Sequence, residues 1–122
     1  MKKLIIEAGK ETPQIHLDGS SGYFAISGKS YPENVNDFYR PVFEYIEQYQ
    51  QNIQPRTILE FNWLYYNTAT SKVIMKIIMR LKEISHDFQV NLYYKKDFDL
   101  IMEKGEEIKD ILDVNMVVAE DG

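Results

Sequence analysis

The stretch TILEFNWLYYNTATSK, residues 57–72, decides the fold, because it joins a buried strand to the start of a helix. Large apolar side chains occupy every second position of its first part: Leu59, Phe61, Trp63 and Tyr65. This alternation predicts a strand over residues 57–65 with these side chains on one face, while the other face is partly polar. The polar cluster that follows predicts the start of a helix that runs to about residue 85.

The segments that follow this stretch continue the alternation of strand and helix. The predicted elements are a strand over residues 88–94, a helix over residues 97–112 and a last strand over residues 115–119. Strands that alternate with helices imply right-handed crossovers and parallel pairing. The second half of the chain therefore predicts three parallel strands joined by two helices.

The segments that precede it predict antiparallel strands and one more helix. The predicted elements are strands over residues 4–7, 14–17 and 23–27, and then a helix capped within residues 34–37. A glycine-containing turn joins the second and third strands, and the GKSYP segment at residues 28–32 is predicted to end the third. Pro41 either lies in an early turn of the helix or kinks it. We predict one α/β domain over residues 1–122, with a mixed sheet, an N-terminal hairpin and about three helices.

Composition excludes several classes of protein. The chain has 122 residues, 44% of them hydrophobic, which is enough for a real core. Its 14 Lys and Arg against 19 Asp and Glu leave a net charge of −5, which disfavours nucleic-acid binding. It has no cysteine, and no apolar run approaches the roughly 20 residues that cross a bilayer. With no signal-peptide pattern at the N-terminus, we expect a cytoplasmic protein without membrane insertion.

The familiar catalytic and metal-binding patterns are not found. The segment Gly28-Lys29-Ser30 resembles the end of a phosphate-binding loop, but position 23 is tyrosine where that motif needs glycine. His16 and His86 are the only histidines, and neither has metal-ligand spacing around it. No pairing of a nucleophile with a base is visible, so the sequence predicts neither an enzyme nor a metal or cofactor site.

The segment from Asn67 to Lys72 is the most informative for function, because it places three hydroxyls where a strand passes into a helix. Asn67 is a favoured N-cap residue, and one cap residue is sufficient. The surplus hydroxyls belong to Thr68, Thr70 and Ser71. A helix N-terminus stabilises phosphate, and Lys72 adds a positive charge within one turn. Helix capping and phosphorylation both remain open at this point, and capping alone accounts for most of the pattern.

The outer face of the same helix predicts a binding surface. Its members recur at helical spacing opposite the isoleucine face: Lys72, Met75, Lys76, Met79 and Arg80. Methionines on an exposed basic stripe are typical of an adaptable docking surface. The alternative is that Met75 and Met79 lie beneath a neighbouring element of the fold.

Two stretches of the chain resemble a known family. TPQIHLDGSSGYFAISGKSYPENVNDFYRPV at residues 12–42 and FNWLYYNTATSK at residues 61–72 resemble the SiaC-type regulatory phosphoproteins, bacterial proteins with a STAS-like fold. The resemblance implies a STAS-like single domain that is phosphorylated by a protein kinase, restored by a PP2C-type phosphatase, and bound to a diguanylate cyclase when unphosphorylated. It implies Thr68 as the acceptor. The family often has serines at the next two positions, where this chain has Ala69 and Thr70.

Together these observations favour a non-enzymatic signalling adaptor. Unphosphorylated, it would bind and activate an effector through the second helix, and phosphorylation of Thr68 would release the effector. Thr70 and Ser71 are secondary candidates for modification, and Asn67 and Lys72 would support the phosphate. The alternative is a small-ligand-binding module that uses the tyrosines predicted near the strand ends: Tyr39, Tyr65, Tyr66, Tyr93 and Tyr94.

Overall fold

The computed structural model describes residues 1–121, and its elements follow the predicted order. The strands are β1 (Leu4–Ile6), β2 (Gln14–Asp18), β3 (Tyr23–Ser30), β4 (Thr57–Tyr66), β5 (Phe88–Tyr94) and β6 (Met116–Glu120). The α-helices are α1 (Val35–Tyr49), α2 (Thr68–Ile84) and α3 (Asp99–Leu112), and a short 3₁₀ turn follows α1. The sheet order is β1-β2-β3-β4-β5-β6. Pairing is antiparallel from β1 to β3 and parallel from β3 to β6, which confirms the predicted mixed sheet with its N-terminal hairpin.

The core lies between one face of this sheet and the three helices. Leu59, Phe61 and Trp63 of β4 are buried at its centre, as their alternation predicts. Phe24 of β3 meets the ring of Tyr49 from α1 edge-on, with centroids 4.9 Å apart. The opposite face of the sheet is uncovered, and there the Tyr23 hydroxyl donates to Glu60 across 3.0 Å. The helices and the groove at the start of α2 belong to the covered side and its rim.

A β-bulge changes the predicted register at the end of β4. Gly28 pairs with Trp63, but Lys29 pairs with Tyr65, so Leu64 is an extra residue on β4. One extra residue reverses the alternation of side chains. Tyr66 is therefore buried, while Tyr65 is 43% exposed, and the prediction that Tyr65 shares the core face is wrong.

Strand β3 continues beyond the predicted break. Gly28 has φ +113°, a conformation that favours glycine, and the strand passes through it to Ser30. The prediction that residues 28–30 end the strand is therefore wrong. Asn34 caps α1 by accepting from the amide of Asp37, as predicted, and the helix runs through Pro41 without ending.

Candidate functional site

The start of α2 is held by a side-chain cap. Asn67 has an extended backbone, and its Oδ1 accepts a hydrogen bond from the amide of Thr70 at 2.9 Å. The capping function predicted for this segment is therefore performed by Asn67. The hydroxyls of the first turn are left free for other contacts, and the amides at the start of the helix have no partner within it.

Thr70 uses its hydroxyl inside the core. Its Oγ1 donates to the Ser30 carbonyl oxygen at 3.0 Å and also contacts the Ser30 hydroxyl at 3.0 Å. The Ser30 hydroxyl in turn shares a 2.7 Å hydrogen bond with Tyr39 of α1. Because Thr70 is fully buried, it is not accessible to a kinase in this fold, which corrects its place as a secondary phosphorylation candidate.

Thr68 and Ser71 instead line a groove between α2 and α3. Thr68 is exposed at the first residue of α2, and Ser71 is half-buried one turn later. The groove has a volume of about 250 Å³, and its lining residues are Thr68, Ser71, Met75, Lys104, Glu107, Ile108 and Ile111. We call this feature the α2–α3 groove. The structure thus separates two hydroxyls that reach the surface from the one that belongs to the core.

Lys104 brings a positive charge into the α2–α3 groove. Its Nζ lies 3.5 Å from the Tyr66 carbonyl oxygen and 5.3 Å from the centroid of the Tyr66 ring. No carboxylate among residues 1–121 lies within 4 Å of this ammonium group. Sequence reasoning misses Lys104 as a site residue. The signal that could have found it is its spacing of four residues from Ile108, which faces the core.

The predicted stripe on α2 divides between two neighbours. Arg80 turns toward α1, where its Nε lies 2.8 Å from Oε1 of Glu47, and it also contacts Glu83 at 3.1 Å. The Arg80 guanidinium holds the pKa of the Glu47 carboxyl below its usual value. Arg80 is therefore paired with carboxylates in this structure, and its part in binding a partner stays a prediction.

The other members of the stripe stand on the surface or in the groove. Lys72 and Lys76 are exposed, and Met79 is 49% exposed. Met75 is half-buried in the α2–α3 groove and packs against the core. The alternative interpretation, in which the methionines lie beneath a neighbouring element, is thus partly correct for Met75 and wrong for Met79.

The five tyrosines of the ligand-binding alternative do not share one pocket. Tyr39 and Tyr66 are buried in the core, and burial raises the pKa of both phenols. Tyr65 lies on the surface, where it meets Tyr31 edge-on at 5.8 Å. These two line a second cavity of about 460 Å³ with Lys29 and Asn67. The remaining two, Tyr93 and Tyr94, alternate on β5 and point to opposite faces of the sheet.

The histidines occupy separate places. His16 is half-buried on β2, and His86 is exposed after α2. Within residues 1–121 no group of three or more His, Asp and Glu side chains is arranged to hold a metal ion. In the same part of the chain, no helix combines the length and apolar character that a bilayer crossing requires.

The α2–α3 groove thus combines one exposed and one half-buried hydroxyl with a lysine and apolar side chains, on the helix-covered side of the sheet. The chain belongs to the SiaC family of regulatory phosphoproteins, which matches residues 6–120. This confirms the resemblance and assigns the chain a regulatory rather than a catalytic role.

Solved structures and one curated sequence agree with this assignment. The crystal structure of apo-SiaC from Pseudomonas aeruginosa has a TM-score of 0.86 and 26% identity, over 98% of this chain and 99% of that chain. SiaC in complex with the diguanylate cyclase SiaD, which it activates, has a TM-score of 0.87 and 25% identity, over 96% and 98%. An uncharacterised protein of Pseudomonas aeruginosa strain UCBPP-PA14 is 27% identical over 113 residues, 90% of each chain.

Proposed function

We propose that this protein is a reversible switch. Its unphosphorylated form binds and activates a diguanylate cyclase, and phosphorylation of Thr68 releases the cyclase. A protein kinase and a PP2C-type phosphatase would set the two states in the cytoplasm. The similarity to SiaC in complex with the cyclase SiaD supports the choice of effector. The observation that carries the proposal is that Thr68 is exposed, lines the α2–α3 groove and is the first residue of a helix.

The physical effect of phosphate at this place is large and local. A phosphothreonine carries about −1.5 to −2 charge and three acceptor oxygens, and the free amides and dipole of a helix N-terminus stabilise it. The same charge lies beside apolar groove residues, Met75 and Ile111, and would have to be desolvated when a partner covers them. Modification therefore stabilises the free protein and weakens the complex. Reversing a switch from 99:1 to 1:99 takes about 5.5 kcal/mol of differential binding.

The first test is to map phosphorylation on the protein purified from its native host. We expect an intact mass increased by one phosphoryl group, with fragmentation placing it on Thr68. The species should disappear in Thr68→Ala and persist in Ser71→Ala, which removes the neighbouring groove hydroxyl as a matched control. An unmodified Thr68 under several growth conditions, or a phosphate that persists in Thr68→Ala, would contradict the proposal.

A further inference from the structure

The ammonium group of Lys104 has few favourable hydrogen-bond or charge partners. Its side chain is partly buried, its contact with the Tyr66 carbonyl oxygen is long at 3.5 Å, and its other neighbour is the face of the Tyr66 ring. The Tyr66 hydroxyl is itself buried without a hydrogen-bond partner. A partly desolvated ammonium group is stabilised most by an anion, and none of the carboxylates among residues 1–121 pairs with it.

The ammonium group of Lys104 lies in the same groove as Thr68. The carbonyl that Lys104 contacts belongs to Tyr66, two residues before Thr68, and both Thr68 and Lys104 line the α2–α3 groove. A phosphoryl group would lengthen the Thr68 side chain and present three acceptor oxygens in this groove. Lys104 is thus the cation that the fold, rather than the local sequence, brings to the modified residue.

The other charged side chains near Thr68 differ from Lys104 in their sign or in their exposure to water. Glu107 of α3 also lines the groove and would repel a phosphate, so Lys104 and Glu107 leave the unmodified groove close to neutral. Lys72, one turn after Thr68 on α2, is exposed, and its attraction to a phosphate is therefore weakened by water and salt. Of the two lysines, Lys104 has the more desolvated setting and the stronger interaction with an anion.

We propose that Lys104 is the positioning residue for phosphate on Thr68. The phosphate on α2 would then be held within the protein by a contact with α3. This inference rests on Thr68 being the acceptor. The contact would draw the ammonium group from the Tyr66 carbonyl to the phosphate and place the remaining negative charge at the mouth of the groove. The effector surface would then change on both helices.

The test uses the full chain with phosphothreonine placed at position 68 during translation by an expanded genetic code, so that no kinase is needed. Phosphorus NMR as a function of pH measures the second pKa of the phosphate. A nearby cation favours the dianion and lowers this pKa, so we expect Lys104→Gln to raise it by about half a unit or more. Lys104→Arg, which keeps the charge, should restore a low value.

Two control variants identify the lysine that acts. Lys109→Gln removes a charge from the last turn of the same helix, outside the groove, and should leave the phosphate pKa unchanged. Lys72→Gln should raise it less than Lys104→Gln. The inference is overturned if Lys104→Gln titrates as the parent protein does, or if Lys72→Gln has the larger effect. Because the phosphate is built in, this outcome is independent of whether the native host phosphorylates Thr68.

Discussion

Two threonines at positions 68 and 70 have opposite environments, although they are the same residue type in the same helical turn. Thr68 is exposed in the α2–α3 groove, whereas Thr70 is buried and donates to the Ser30 carbonyl oxygen. The difference follows from the helical rotation of about 200° between them, which turns one side chain outward and the other toward β3. At the scale of single residues, the proposed phosphorylation site is therefore a neighbour of a threonine that belongs to the core.

Replacing Thr70 by valine should destabilise the protein while the same change at Thr68 should not. Thr70→Val keeps the shape of the side chain but removes its hydrogen bonds to the Ser30 carbonyl oxygen and hydroxyl. These two groups keep the Asn67 amide and the Tyr39 hydroxyl as partners, so the cost is about 1 kcal/mol. Thr68→Val, at an exposed position, should stay within about 0.5 kcal/mol of the parent. Urea denaturation of both variants measures the free energy of unfolding. Equal values would show that the buried hydrogen bonds of Thr70 do not stabilise the fold.

Helix α2 lies between α1 and α3, and this position divides its polar face into two functional halves. Arg80 on one side binds Glu47 of α1, while Met75 on the other side packs into the groove beside α3. The most exposed apolar side chain near the groove is Ile111 of α3, at 64%. At the scale of elements, we therefore expect a docking surface at the groove to be shared by α2 and α3 rather than confined to α2.

We expect Ile111→Asp to weaken binding of the native host's diguanylate cyclase by about tenfold, because a charge would enter an apolar contact. Ile5→Asp is the matched control, since Ile5 is 51% exposed on the uncovered face of the sheet, away from the groove. Titration calorimetry with the unphosphorylated protein measures both affinities. A loss of affinity in Ile5→Asp with none in Ile111→Asp would move the interface to the uncovered sheet face.

At the scale of the whole molecule, several carboxylates are held ionised by partners from other elements. Asp121, beyond β6, accepts from Lys95 at 2.6 Å and from Asn62 of β4 at 3.0 Å, so it ties the last strand to the centre of the sheet. Hydrogen bonds from Lys95 and Asn62 lower the pKa of Asp121, and Arg80 lowers that of Glu47. These contacts span the molecule from the edge of the sheet to the surface between two helices.

The fold should lose stability in acid as the carboxylates of these contacts become protonated. A carboxyl whose pKa is lower in the folded state stabilises the fold above its unfolded pKa of about 4, and this contribution is lost as the pH falls through the folded value. Asp121→Asn removes one such group, so its urea midpoint should change less between pH 6 and pH 3 than that of the parent. Asp110→Asn, on the exposed surface of α3, should change as much as the parent. An unchanged pH dependence in Asp121→Asn would contradict the stabilising contact.

The order and type of the elements could be predicted from the sequence because their signals are local. Alternation in residues 57–65 and the isoleucine face of α2 report which side of each element is buried, and Asn67 is recognisable as a cap from its residue type and place. The main error in the strands was the outer end of β4. There, one extra residue at the bulge exchanges the environments of Tyr65 and Tyr66. No local pattern in the sequence indicates the bulge.

The mixed α/β architecture, the regulatory family and the segment that carries Thr68 could all be read from the sequence. Which hydroxyls of that segment reach the surface, and which lysine lines the groove beside them, depends on the tertiary structure. Thr70 is buried and bonds to Ser30, forty residues away, and Lys104 of α3 lines the same groove as Thr68. Periodicity along a chain reports a residue's own face of its element, whereas burial of a polar group and pairing of a charge depend on what distant segments place opposite it.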